Sequence, residues 1–483
     1  MNRPSHVDRS IRVLSLAVAI ALVTAACGAT TPVPSPSSSA ASTKPGPTEA
    51  PSIAPKTTSS LAPGPSGQPA TIPQPIVPPG LETAPERARV DLVMPTFSNP
   101  TAITNPLFPV SKQASVLMLG HVDGKPFRTE VTLLPFTRIV DWGGQRVETL
   151  VSQYCAYLDG RINEIAYDLY AQADDGSVWY FGEDVFDFVD GAIVTTEGTW
   201  QAGRDGPAAM IMPAQPKVGD VYRTENSPGF VFEEVTVKAV DQPLKGPLGP
   251  IAGGLSVLEL HSDGTTETKS FAPGYGEFRT AGGGDLEALA LAVPTDSNAG
   301  RTPAALTSLS DGAMVVFDAI GTGNWAGASR GVAALKRSWT SARGGSVPPA
   351  VASVMDRNLR ALDVAIGARR SLRARSASIE VARSAFDLQL LTRPATEIDV
   401  HRFDLWAAQT QIDVAAHDSA GVTADVFALD YARDRFIRTL DPPSSARLNT
   451  LLNDLQVAVV EDDMATARTA SSGLRRMVAE LTR

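Results

Sequence analysis

Six Asp-Gly pairs punctuate the middle of this 483-residue chain, at 123–124, 159–160, 175–176, 190–191, 205–206 and 263–264. Between them lie short runs rich in β-branched and aromatic residues, at 131–134, 147–158, 162–172, 178–181, 230–240 and 255–260. Asp-Gly tolerates the left-handed backbone of tight hairpin turns, so each pair marks a reversal between neighbouring strands. No helical period interrupts the series. Residues 90–295 are therefore expected to form an antiparallel all-β meander, a large curved sheet or half-barrel, and a parallel βαβ fold is disfavoured.

The texture changes at 293–303. Beyond it Ala, Leu, Arg and Asp dominate, and apolar residues recur at spacings of three and four. Helix stops at Gly321, Gly344, Arg393-Pro394 and Asp441-Pro442 divide residues 300–483 into about eight helices. Short polar turns near 319, 365, 414 and 458 suggest four helical hairpins, stacked as a bundle. Pro349 and Pro442 sit where helices begin, with Ser346 and Asp441 as candidate caps. Apparent chemical motifs dissolve here. Gly327-Ala-Ser329-Arg-Gly331 lies inside a helical pattern, whereas a nucleophile elbow needs a strand before its serine. Glu397/His401 and Asp413/His417 read as surface ion pairs.

Charge is unevenly spread. Residues 90–300 carry 28 acidic and 13 basic side chains, giving −15, whereas 301–483 carry 20 and 22, giving +2. An acidic β domain is a poor partner for nucleic acid; cations or basic proteins suit it better. Residues 28–89 hold 15 prolines and no Phe, Tyr or Trp. That composition cannot bury enough apolar area to offset chain entropy, so 27–89 is expected to be a disordered tether. Before it, a basic head and the apolar run 13–26 precede Cys27. The run is shorter than the ~20 residues of a membrane-spanning helix. It resembles a bacterial lipoprotein signal peptide whose lipobox is Thr24-Ala25-Ala26-Cys27, with Thr24 where Leu or Val is usual. The resemblance implies cleavage after residue 26, diacylglycerol on Cys27 with palmitate-type chains, and an extracytoplasmic protein anchored to the bacterial cell membrane. Cys155 is then the one remaining thiol, and its apolar surroundings suit a buried core residue.

One hairpin carries the candidate site. If Asp175-Gly176 is a two-residue turn, Gln172 faces Trp179, Tyr170 faces Phe181 and Asp168 faces Glu183, all six on one surface. Two opposed carboxylates repel. Residues 162–203 hold nine carboxylates and no Lys or Arg, so no local base offsets them. Three readings stay open. In the first the acids line a solvated edge that deters aggregation; in the second Asp168, Glu183 and Asp184 hold Ca²⁺, or the hairpin offers an acidic-aromatic binding face; in the third Asp168 and Glu183 are the carboxyl pair of a glycan hydrolase. No residue is singled out as catalytic, and a non-enzymatic binding or assembly role is favoured.

The stretch 168–184, with Gly198-Thr-Trp-Gln-Ala-Gly and Ala272-Pro-Gly-Tyr-Gly-Glu after it, resembles an uncharacterised family of exported bacterial proteins with a D-x-Y-A-Q-D-x-x-G-x-V-W-Y-F-G-E-D core. Ala173 stands where that family has its first acid after Gln. The resemblance implies a half-barrel of the lipoprotein-carrier (LolA/LolB-like) kind. Such a sheet would hold a lipid or other hydrophobic ligand on its concave face, while the helices engage an envelope protein.

Overall fold

The computed structural model describes residues 70–77 and 80–482. Cys27, the lipobox and the tether up to residue 69 lie outside the described residues. Fourteen strands form one open antiparallel sheet. The first five are long: β1 (Ser115–Val122), β2 (Lys125–Trp142), β3 (Gln145–Leu158), β4 (Arg161–Gln172) and β5 (Val178–Val189). Short strands β6 (Ala192–Thr195), β7 (Trp200–Gln201) and β8 (Ala209–Met212) follow. The second half comprises β9 (Val221–Ser227), β10 (Val231–Lys245), β11 (Pro250–His261), β12 (Thr266–Ala272), β13 (Gly276–Gly282) and β14 (Asp285–Val293). The order is β6-β5-β4-β3-β2-β1-β14-β13-β12-β11-β10-β9. Two meanders thus join where β1 pairs with β14. The sheet curls until β8, paired to β5, lies beside β9, but no ladder closes that seam.

Local chemistry explains the meander. Asp123-Gly124, Asp159-Gly160 and Asp190-Gly191 have positive φ at both residues, the geometry that joins twisted strands through two-residue turns. β13 and β14 are bounded instead by other glycines, Gly274, Gly276, Gly283 and Gly284, all at positive φ, so the Asp-Gly series does not mark them. Residues 70–77 and 80–89, placed with the tether on composition, instead run along the sheet. Ile72 is buried, Ala84 donates its N–H to Glu234, and Val90 donates to the Val221 carbonyl on the free edge of β9.

Eight helices follow: α1 (Ala304–Gly321), α2 (Trp325–Ala342), α3 (Pro349–Gly367), α4 (Ser371–Gln389), α5 (Ala395–Ala416), α6 (Ser419–Asp434), α7 (Pro442–Val460) and α8 (Met464–Leu481). They form four hairpins, with α1 packed on α4 and α5 on α8. Asp441 caps α7 by accepting from the Ser444 N–H at 2.9 Å, and Asn324, Asp418 and Asp463 cap α2, α6 and α8. Ser346 does not cap α3, whose N-cap is Pro348. Among the described helices, α1 is long and apolar enough to cross a membrane, but Leu309, Ala313, Val316 and Phe317 are sealed in the core. Ser329 lies exposed within α2. His401 stacks on Phe386, and Asp413 is bound by Arg161, so neither helical histidine pair forms a metal site.

The helices cover the outer face of the sheet. Leu117, Leu291 and Val293 join the core of α1–α5, while Cys155, Tyr157, Ile165 and Phe188 join that of α5–α8. Tyr157 stacks on Trp406 at 5.3 Å. Burial pushes the Cys155 thiol up to about 11, so it stays protonated and inert. A charged network sits in this apolar seam. Arg128 of β2 binds Asp387 of α4 (2.7 Å), Arg435 after α6 binds Glu130 of β2 (2.6 Å), and Arg402 of α5 bridges Asp387 (3.0 Å) and Asp399 (3.1 Å).

Candidate functional site

β4 and β5 place Asp168 opposite Glu183. The route to that pairing differs from a simple two-residue turn. Ala173 and Ser177 close a three-residue loop, because Asp175 accepts from the Ser177 N–H and hydroxyl rather than adopting positive φ. The register moves by one, so Tyr170 faces Tyr180 and Gln172 faces Val178. A bulge between Asp168 and Tyr170 moves it back. Gly182 makes that bulge possible: its φ is +124°, and a Cβ there would lie 2.2 Å from the Trp200 carbonyl oxygen. Gly182→Ala is expected to cost more than about 2 kcal/mol in urea denaturation; a loss below about 0.5 kcal/mol would mean that the bulge is not required.

These slips correct the six-residue face. Tyr170 and Tyr180 stack at 4.9 Å on the inner surface, and the Tyr180 hydroxyl donates to Asp168 at 2.8 Å. Trp179 and Phe181 point to the opposite surface, where both pack on Trp142 and Phe181 also meets Phe97. Gln172 accepts from the N–H groups of Thr104 and Asn105, which ties down the segment that wraps into the sheet. Asp184 also leaves the set: it lies on the outer surface, bound by Arg138. A Ca²⁺ site of Asp168, Glu183 and Asp184 is therefore excluded by geometry. A solvated edge is excluded too, since Asp168 and Glu183 are 5% and 1% exposed.

Sequence reasoning missed the rest of the site, because it comes from the other half of the sheet. Glu225 of β9, Glu233 of β10 and Glu259 of β11 turn inward, followed by Glu267 of β12, Glu277 of β13 and Glu287 of β14. With Asp168 and Glu183 they make an inner belt of eight carboxyls. Among the described residues lining the cavity they surround, Lys269 is the one basic side chain; His261 lies beside it. Eight acids against two bases would leave six negative charges uncompensated if every group were ionised. The only sequence signal was an acid repeatedly set within an otherwise apolar strand, as at Glu259 between Leu258 and Leu260.

The bases serve one side of the belt. Lys269 binds Glu259 and, at 3.3 Å, Glu267, while His261 Nδ1 lies 3.2 Å from Glu233. Burial pushes the Glu233 carboxyl up, but Lys269 and His261 outweigh it and bring it down to about 2. Burial favours neutral His261, yet its bond to Glu233 lifts it to about 9. The other acids have no such help. Burial pushes Asp168 up to about 7, and burial with a neighbouring glutamate pushes Glu259 and Glu287 up to about 8. Glu183 is raised by burial and by the charge of Glu225; Glu225 is raised by burial and by Glu233, against the lowering effect of its bond with Glu183. Neither Glu183 oxygen accepts a protein N–H or O–H, so Glu183 and Glu225 bond only when a proton lies between them. Across the seam, the Trp200 indole donates to Glu225 at 3.2 Å.

The cavity within the belt measures about 80 Å³. Phe108, Val110 and Gln113 of the wrapping segment line it, together with Tyr154, Tyr222 and Phe271. The Tyr154 hydroxyl is buried and has no hydrogen-bond partner. Glu233, Glu259 and His261 offer atoms within 4.8 Å of one another and could in principle hold a metal, but Lys269 and the imidazolium already neutralise them. No protein-family model and no curated protein matches the chain.

Proposed function

We propose that this chain is a lipid-anchored, extracytoplasmic binding protein that takes a small ligand into the lumen of its curved sheet. The observation that supports the lumen is the buried Tyr154 hydroxyl, unpartnered and lining an acid-belted cavity. A buried polar group without a partner costs about 1–3 kcal/mol, a cost that a ligand removes. The cavity volume argues against two alternatives. An engineered cavity of about 150 Å³ binds benzene; about 80 Å³ leaves no room for a sugar ring or an acyl chain. That weighs against a glycan hydrolase built on Asp168 and Glu183 and against a lipid carrier.

The test is methyl NMR of the mature chain with a panel of small polar and charged compounds. Binders should shift the methyl signals of Met118, Ile211 and Val257, which line the cavity. A panel that shifts none of them would contradict the lumen as a binding site. The anchor rests on the lipobox resemblance. Cys27→Ser is expected to move the protein from the membrane pellet to the soluble fraction; persistence in the pellet would refute lipid anchoring.

A further inference from the structure

We infer that the lumen binds a small organic ammonium ion, held by Asp168 and Glu225 against the stacked rings of Tyr170 and Tyr180. The inference rests on the lumen being a ligand site and names its ligand class. Three independent features meet there.

The first is charge. The cations of the belt, Lys269 and His261, sit with Glu233, Glu259 and Glu267. Asp168 and Glu225 have none, and the fields of both act on Glu183. The second is unused hydrogen-bonding capacity. The hydroxyl of Tyr154 is buried, lines the cavity and has no hydrogen-bond partner, so it is free to accept from an N–H. An ammonium supplies the donors that carboxylates require. The third is the wall. Tyr170 and Tyr180 stack, and Trp200 meets Tyr180 edge-on at 5.4 Å. Electron-rich ring faces beside carboxylates suit an alkylammonium, whose charge is spread over C–H and N–H groups.

A divalent metal fits less well. Hard cations need six to eight oxygens around one point, whereas these acids come from separate strands, Asp168 from β4 and Glu225 from β9. The volume sets the size: roughly half the cavity that accepts benzene fits a cation of about three to five non-hydrogen atoms. On entry of R–NH₃⁺, the proton held between Glu183 and Glu225 leaves to solvent, and the net charge of the lumen is unchanged.

The experiment titrates the mature chain with ethylammonium, ethanol and CaCl₂ through the millimolar range at neutral pH. Methyl NMR reports lumen occupancy and unbuffered potentiometry reports proton release. Ethylammonium should shift the lumen methyls and release protons, ethanol should do neither, and Asp168→Asn should weaken ethylammonium at least tenfold. If Asp168→Asn does not fold, Glu225→Gln is read instead, with the same expectation. Lumen shifts from ethanol or another neutral compound, with none from ethylammonium, would overturn the ammonium assignment and leave the binding site standing. Calcium occupying the lumen in place of ethylammonium would overturn it in favour of an inorganic ion. No lumen shift from any compound would remove the site itself.

Discussion

Raising the pH from about 5 to about 8.5 is expected to lower the melting temperature of this protein, by roughly 5 °C or more. Asp168, Glu259 and Glu287 are held well above the ordinary carboxyl range by burial, at about 7, 8 and 8. An acid with a raised folded value binds its proton more tightly in the native state. Its stabilising contribution is complete below about pH 4 and is lost as the pH rises through the folded value. His261, raised to about 9, acts in the same direction, losing its contribution between about 6.5 and 9. Glu233 acts oppositely: lowered to about 2, it contributes above about pH 4.5 and loses that contribution only in strong acid. Stability should therefore peak near pH 5, with a loss of at least about 3 kcal/mol by pH 8.5. Scanning calorimetry at constant ionic strength measures it. Glu259→Gln and Glu287→Gln should each flatten the slope, because an amide stays neutral throughout. A melting temperature that is level or rising across this window would contradict the buried belt.

The second large effect belongs to the seam between sheet and helices. Arg402→Met is expected to destabilise the protein by about 3–5 kcal/mol in denaturant titration. Arg402 is 1% exposed and binds Asp387 and Asp399, so its loss leaves three buried carboxylates facing only Arg128 and Arg435. Adding Asp399→Asn should recover part of the loss, since it removes one of the stranded charges. A single-variant cost below about 1 kcal/mol would show that water or rearrangement replaces Arg402.

How far the structure was legible in the sequence depends on the range of the interactions concerned. Turn chemistry is local, so Asp123-Gly124, Asp159-Gly160 and Asp190-Gly191 disclosed an antiparallel sheet, and glycine and proline stops disclosed eight helices. The apolar surroundings of Cys155 disclosed a buried thiol, and that stretch of β3 is buried throughout. Register was less accessible. Asp175-Gly176 has the composition of a two-residue turn, but the Asp175 side chain caps Ser177 and builds a longer loop. The compensating bulge needs Gly182 to pass under Trp200, a contact between segments that no local pattern contains. The belt was least accessible. An acid alternating with apolar residues looks the same facing water or a closed lumen; only the curl that brings β9 round to β5 decides between them, putting Glu225 beside Glu183.

Infrared spectroscopy of the carboxyl carbonyl stretch at neutral pH probes the belt most directly. Neutral carboxylic acids should be present in the folded protein at pH 7, should fall in number in Glu183→Gln, and should ionise when ethylammonium is added. A spectrum at pH 7 showing only carboxylates would mean that the inner face is solvated and fully charged, and the lumen would then hold neither protons nor a cation in their place.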